Sequence, residues 1–157
     1  MTHYGLSNET VGLIVARRLK EPLADSAIVF EQSGDGAALI EAWRSAETVI
    51  IIDAMMSGAE PGTIRRIDAG ARPIPKSYFR CSTHAFGVVE AIELARALGN
   101  FPQPMVVYGI EGKNFAAGVG LSAEVEKDAG ETVRQALATI QYVDSNAKLS
   151  HNDLTAI

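Results

Sequence analysis

Two stretches of this chain are apolar without alternation: Val49-Ile50-Ile51-Ile52, running into Asp53-Ala54, and Met105 to Ile110, running into Glu111. A strand covered on one face alternates apolar and polar residues. An unbroken run predicts a strand buried on both faces, as in the middle of a parallel sheet. Around these two runs the spacing becomes helical. Val11, Ile14, Val15 and Leu19 fall on one face of a helix starting near Glu9, with Ser7 or Asn8 as its cap and Pro22 beyond its end. Ser26 to Glu31 predicts a short strand. Asp35 then caps a helix carrying Leu39, Ala42, Trp43 and Ala46 inward, with Trp43 as core rather than ligand platform.

The strand–helix–strand spacing from residue 26 to 54 predicts a parallel pair with a right-handed crossover. Glu60-Pro61-Gly62 reads as a turn, Thr63 to Ile67 as a short edge strand, and Gly70 to Lys76 as a proline-bearing loop crossing the end of the sheet. Ser82 or Thr83 is the expected cap of a helix with Val88, Ala91, Ile92 and Ala95 on its apolar face. From Ser122 the pattern is helical again, with Gly130 expected to divide it into two pieces. The polar tail, residues 144–157, is expected to fray. The whole chain, 1–157, therefore reads as a single α/β domain.

Composition narrows the class. Charged residues make up 21% of the chain and the net charge is −5, with lysines and arginines scattered, which argues against a nucleic-acid partner. The single cysteine, Cys81, rules out an internal disulfide or a cysteine-based zinc site and suits a reducing cytoplasm. It has no identifiable orienting partner that would make it a nucleophile. No apolar run approaches the roughly 18 residues of a membrane span, and Met1-Thr2-His3-Tyr4 is no signal peptide.

Candidate chemistry collects where the parallel strands end, because strand C-termini and the N-termini of adjoining helices share one rim of such a sheet. Asp53 ends the central strand, Glu9 opens the first helix, and His84 is expected in the first turn of another, where the helix dipole favours a neutral, metal-competent imidazole. Two carboxylates and one imidazole suit a borderline divalent ion with open positions, and are too few for a closed structural zinc site. Each has a plainer reading: Glu9 as a dipole-favoured surface carboxylate, His84 as a locally hydrogen-bonded histidine.

Ile51-Ile52-Asp53-Ala54, the run Ser57-Gly58-Ala59-Glu60-Pro61-Gly62-Thr63, Ser82-Thr83-His84 and Val107-Tyr108-Gly109-Ile110-Glu111-Gly112 together resemble the hydrogenase maturation protease family. Glu9-Thr10-Val11-Gly12-Leu13 resembles the opening of that family's first helix, and Gly120 to Val125 the entry to its last; the similarity covers roughly residues 6–142. The resemblance implies a flavodoxin-like three-layer α/β/α fold with a mostly parallel sheet. It implies an endopeptidase that removes a C-terminal peptide from the large-subunit precursor of a nickel–iron hydrogenase in the cytoplasm. No permanent cofactor is implied. Glu9, Asp53 and His84 would contact the substrate's own nickel, for which a divalent surrogate such as cadmium or zinc could stand in within a crystal. Hydrolysis could use a metal-polarised carbonyl or water, or acid–base work by Glu9 or Asp53.

One element departs from the family pattern. The expected apolar strand and Gly-Asn turn before Glu9 have no counterpart in residues 1–8, as with a late start codon or a truncated chain. Its absence would open the edges of two neighbouring strands to pairing, leaving the oligomeric state open. Two other functions fit the same elements. One is a non-catalytic flavodoxin-like module that docks a metallated partner. The other is a small nucleotide- or phosphate-binding domain using Gly34-Asp35-Gly36, which lacks G-x-G-x-x-G spacing and a lysine, or Gly112-Lys113-Asn114.

Overall fold

The computed structural model describes residues 9–23, 28–29, 35–46, 48–79, 85–102, 104–112, 123–147 and 154–156. Its helices are α1 (Glu9–Lys20), α2 (Gly36–Ala42), α3 (Val88–Ala97) and α4 (Ala123–Ala147). Its strands are β1 (Ile28–Val29), β2 (Thr48–Met55), β3 (Ile64–Asp68), β4 (Met105–Glu111) and β5 (Leu154–Ala156). Among the described residues the strands form one sheet in the order β1-β5-β2-β4-β3, in which only β3 runs antiparallel.

The two unbroken apolar runs are the sheet's centre. β2 and β4 pair in parallel from Val49↔Met105 to Met55↔Glu111. Their apolar residues divide between two cores because successive side chains point to opposite faces. Val49, Ile51, Met55, Met105 and Val107 pack with Leu39 and Trp43 of the α2 region and with Val88, Ala91 and Ile92 of α3. Ile50, Ile52, Val106, Tyr108 and Ile110 pack with Val15 and Leu19 of α1 and with Ala129, Ala136 and Ile140 of α4. Helices on both faces of a mostly parallel sheet give the flavodoxin-like three-layer arrangement, and they explain why neither strand alternates.

Several local expectations hold. The Asp35 carboxylate caps α2 by accepting the Ala38 N–H at 3.0 Å. Trp43 is fully buried, and β3 is the predicted edge strand.

Three expectations are corrected. Gly130 does not divide the last helix; α4 runs unbroken for 25 residues. Glycine costs about 1 kcal/mol in a helix interior, and burial of Ala129, Thr132, Ala136 and Ile140 on the flanking turns outweighs that. The N-cap of α3 is Gly87 rather than Ser82 or Thr83, and the Gly87 N–H donates to the Glu90 carboxylate at 3.1 Å. A glycine takes the extended cap conformation readily, and a glutamate three residues on supplies the acceptor.

The third correction concerns the tail. Leu154–Ala156 is not frayed but lies between β1 and β2, parallel to both, with Ile28↔Thr155 on one side and Val49↔Thr155 on the other. Two parallel strands held one strand-width apart present facing rows of amide and carbonyl groups, and a third strand satisfies both rows. The interior position expected to lack a strand is thus occupied by the chain's own residues 154–156.

Candidate functional site

Asp53 does not end β2 as expected: the strand runs two residues further, to Met55, and Asp53 lies between the buried Ile52 and Ala54 near the strand's rim end. It is half-buried and shares the sheet face of Val49, Ile51 and Met55. Its carboxylate accepts the Ala54 N–H at 2.8 Å, which turns one oxygen back toward the strand. The register carries this position across the sheet: Asp53 lies beside Gly109 of β4, and Gly109 beside Arg65 of β3. Registered neighbours project to the same face. Asp53 and Arg65 therefore stand on one row with a glycine between them. A Cβ on Gly109 would come within 2.6 Å of the Met55 sulfur, so a side chain there would require Met55 to move.

A second carboxylate organises the rim. Glu111 ends β4 and is only 4% exposed. Both of its oxygens accept the Ser57 N–H, at 2.9 and 3.0 Å; one also accepts the Ser57 hydroxyl at 2.8 Å and the other the Gly58 N–H at 3.0 Å. A buried carboxylate needs such charge-assisted donors to offset its lost hydration. The backbone of the same residue completes the clamp: Gly62 N–H donates to the Glu111 carbonyl at 2.8 Å and Glu111 N–H to the Thr63 carbonyl at 2.9 Å. Gly58 and Gly62 adopt φ of +82° and +85°, which other residues enter at a cost. The loop leaving Asp53 is thereby held to the end of β4 at both ends.

The other side of that loop is tied to the short 3-10 turn Lys76–Phe79. Met56 N–H donates to the Tyr78 carbonyl at 2.8 Å, and the Arg65 guanidinium lies over the Tyr78 ring, 5.5 Å from its centre.

Of the three expected site residues, Asp53 alone has a described side chain. Glu9 opens α1, and because α1 leads into a parallel strand, its first turn belongs to the rim side of the sheet. The side chain of Glu9 lies outside the described residues, as do His84 and Cys81. α3 begins at Val88, four positions after His84 in the sequence. Among the described residues no three His, Cys, Asp or Glu side chains form a metal-binding group. Gly36, weighed as part of a phosphate cradle, has another duty: its N–H donates to the Phe86 carbonyl at 2.9 Å, and a Cβ there would sit 2.5 Å from the Phe86 ring. Gly34, Lys113 and Asn114 lie outside the described residues. The clamp by Glu111 was missed as a role, although a carboxylate closing an otherwise apolar strand is the same signal that singled out Asp53.

The family model for hydrogenase maturation proteases matches residues 14–139. The chain belongs to that family. A candidate hydrogenase maturation protease of Methanocaldococcus jannaschii is 31% identical over 135 residues, covering 82% of this chain and 84% of that one. The hydrogenase expression/formation protein HoxM of Cupriavidus necator is 32% identical over 96 residues, covering 61% of this chain and 48% of HoxM. The chain spans less than half the length of HoxM and of the HupD proteins it matches. Among solved structures, the [NiFe] hydrogenase maturation protease HybD from Thermococcus kodakarensis superposes with a TM-score of 0.65 at 25% identity, covering 84% of this chain and 89% of HybD. Among the described residues no helix is long and apolar enough to cross a membrane.

Proposed function

We propose that this protein is an endopeptidase of hydrogenase maturation, trimming a C-terminal peptide from the nickel-loaded large-subunit precursor of a nickel–iron hydrogenase in the cytoplasm. The observation that carries the reading is the family match over residues 14–139, centred on a sheet whose β2 delivers Asp53 to the rim. In this reading Asp53, Glu9 and His84 meet the nickel that the precursor already holds. Nickel is part of the substrate and serves as the sign that the precursor is ready. Two carboxylates and a neutral imidazole are suitable donors for such an ion, and three donors leave coordination positions for the precursor's own ligands.

The anchored geometry of Asp53 supports the role. Its carboxylate is oriented by the Ala54 N–H, and the loop behind it is fixed by Glu111, so little reorganisation accompanies contact with substrate. A carboxylate so held can bind the ion or accept a proton from the attacking water.

The test is incubation with nickel-loaded and nickel-free precursor, followed by mass spectrometry of the large subunit. Shortening of the loaded form alone is expected. Nickel-dependent association without shortening would favour a non-catalytic docking module, and trimming that ignores nickel would overturn the role given to the ion.

A further inference from the structure

The chain as a whole is acidic, with a net charge of −5, yet three arginines gather around one cleft. Arg65, Arg66 and Arg72 line a cleft of about 300 Å³ beside β3, together with Ile67, Pro73, Pro75 and Tyr78. All three arginines are exposed, and among the described residues no carboxylate forms an ion pair with any of the three. Pro73 and Pro75 on the cleft's walls have no N–H to offer. What the cleft offers a ligand is guanidinium groups, whose forked N–H donors match carboxylates.

The cleft adjoins an open sheet edge. β3 is the terminal strand, paired with β4 on one side and with no strand on the other among the described residues. Ala69 N–H donates to the Met105 carbonyl at 3.0 Å. By antiparallel alternation Ala69, Ile67 and Arg65 bond toward β4, and Ile64, Arg66 and Asp68 direct their backbone groups outward. An exposed edge of this kind accepts an extended peptide as an added strand. Arg65 shares the face of Ile67, which packs with the α2/α3 core, and Arg66 shares the face of Ile64, which packs with the α1/α4 core. Successive acidic residues of an added strand, pointing alternately to the two faces, would each meet an arginine.

We propose that the outer edge of β3 and its arginine cleft form a docking groove for an extended, acidic segment of the protein substrate. The groove leads to the site. Arg65 is on the row of Asp53, two strands across, which is about 10 Å at the usual interstrand spacing. Roughly three extended residues cover that distance. A segment held on β3 therefore brings the chain a few residues beyond it to Asp53. Only the identity of the partner rests on the endopeptidase reading; the groove itself rests on the edge strand and the arginines.

The test uses fluorescence anisotropy of the whole protein with three labelled peptides: a short peptide of consecutive glutamates flanked by valines, its glutamine counterpart, and the glutamate peptide N-methylated at alternate amides. The glutamate peptide is expected to bind roughly tenfold tighter than either control. The triple variant Arg65→Glu, Arg66→Glu, Arg72→Glu, and Arg72→Glu alone in the loop, are expected to lose that preference while keeping the wild-type circular dichroism spectrum. With loaded precursor the triple variant should show a raised KM and an unchanged kcat. Equal affinity for the glutamate and glutamine peptides, no effect of N-methylation, or undiminished binding by the charge-reversed variants would each overturn the groove. Peptide binding by a protein that never trims precursor would instead overturn the endopeptidase reading and leave the groove standing.

Discussion

Ser57 gives both its N–H and its hydroxyl to the carboxylate of Glu111, a residue 54 positions away in the chain. Because Glu111 ends β4 and Ser57 lies just beyond β2, this contact locks the ends of the two central strands together at the rim that carries Asp53. Replacing Glu111 by alanine would leave the Ser57 hydroxyl and the Ser57 and Gly58 amides without their acceptor. The expected cost is about 2–4 kcal/mol, since donors to a buried charge are left unpaired. Urea denaturation measures it. Glu111→Gln keeps the shape but exchanges one acceptor oxygen for a donor, so its loss should be smaller, and trimming should suffer in both.

Asp53→Asn separates chemistry from folding. The asparagine oxygen can still accept the Ala54 N–H, and the site is half-buried rather than core. Stability should change by less than about 1 kcal/mol, while precursor trimming, read by mass spectrometry, should fall by a factor of roughly one hundred or more. Trimming at the wild-type rate would remove Asp53 from the site.

Gly109→Ala probes the row between Asp53 and Arg65. The added Cβ would meet the Met55 sulfur at 2.6 Å and its Cγ at 3.2 Å, in a strand whose every residue is buried. Overpacking of this kind costs about 1–3 kcal/mol. Shortening the obstructing side chain in the double variant Gly109→Ala, Met55→Val should recover part of that loss. Thermal melts of the two single variants and the double variant give the coupling directly.

Removal of residues 154–157 tests the strand that completes the sheet. β5 pairs with both β1 and β2, and without it their facing edges would be unpaired. Net values of about 1 kcal/mol per ladder hydrogen bond predict a loss of about 2–5 kcal/mol. The exposed edges should also promote concentration-dependent association in analytical ultracentrifugation. An unchanged melting temperature would show that β5 contributes nothing to stability.

The sequence by itself determined the central layer, because strands covered on both faces must be apolar throughout. Val49–Ile52 and Met105–Ile110 satisfy that condition wherever they occur in the chain. It determined α1 and α2 through helical spacing and the Asp35 cap, both of which act within a few residues. Asp53 is legible by the same local logic as the residue that interrupts an apolar run, although the strand continues past it to Met55.

Tertiary structure alone decided the remainder. Leu154–Ala156 is three residues long, too short for any period to show, and it becomes a strand only because β1 and β2 offer it two edges. Gly130 is locally a helix breaker, and packing on the neighbouring turns keeps α4 continuous through it. The role of Glu111 depends on donors 53 and 54 residues away, and the row linking Asp53 to Arg65 depends on the register of three strands. These features have a shared cause: contacts between distant segments fix them, and sequence spacing reports only contacts between near ones.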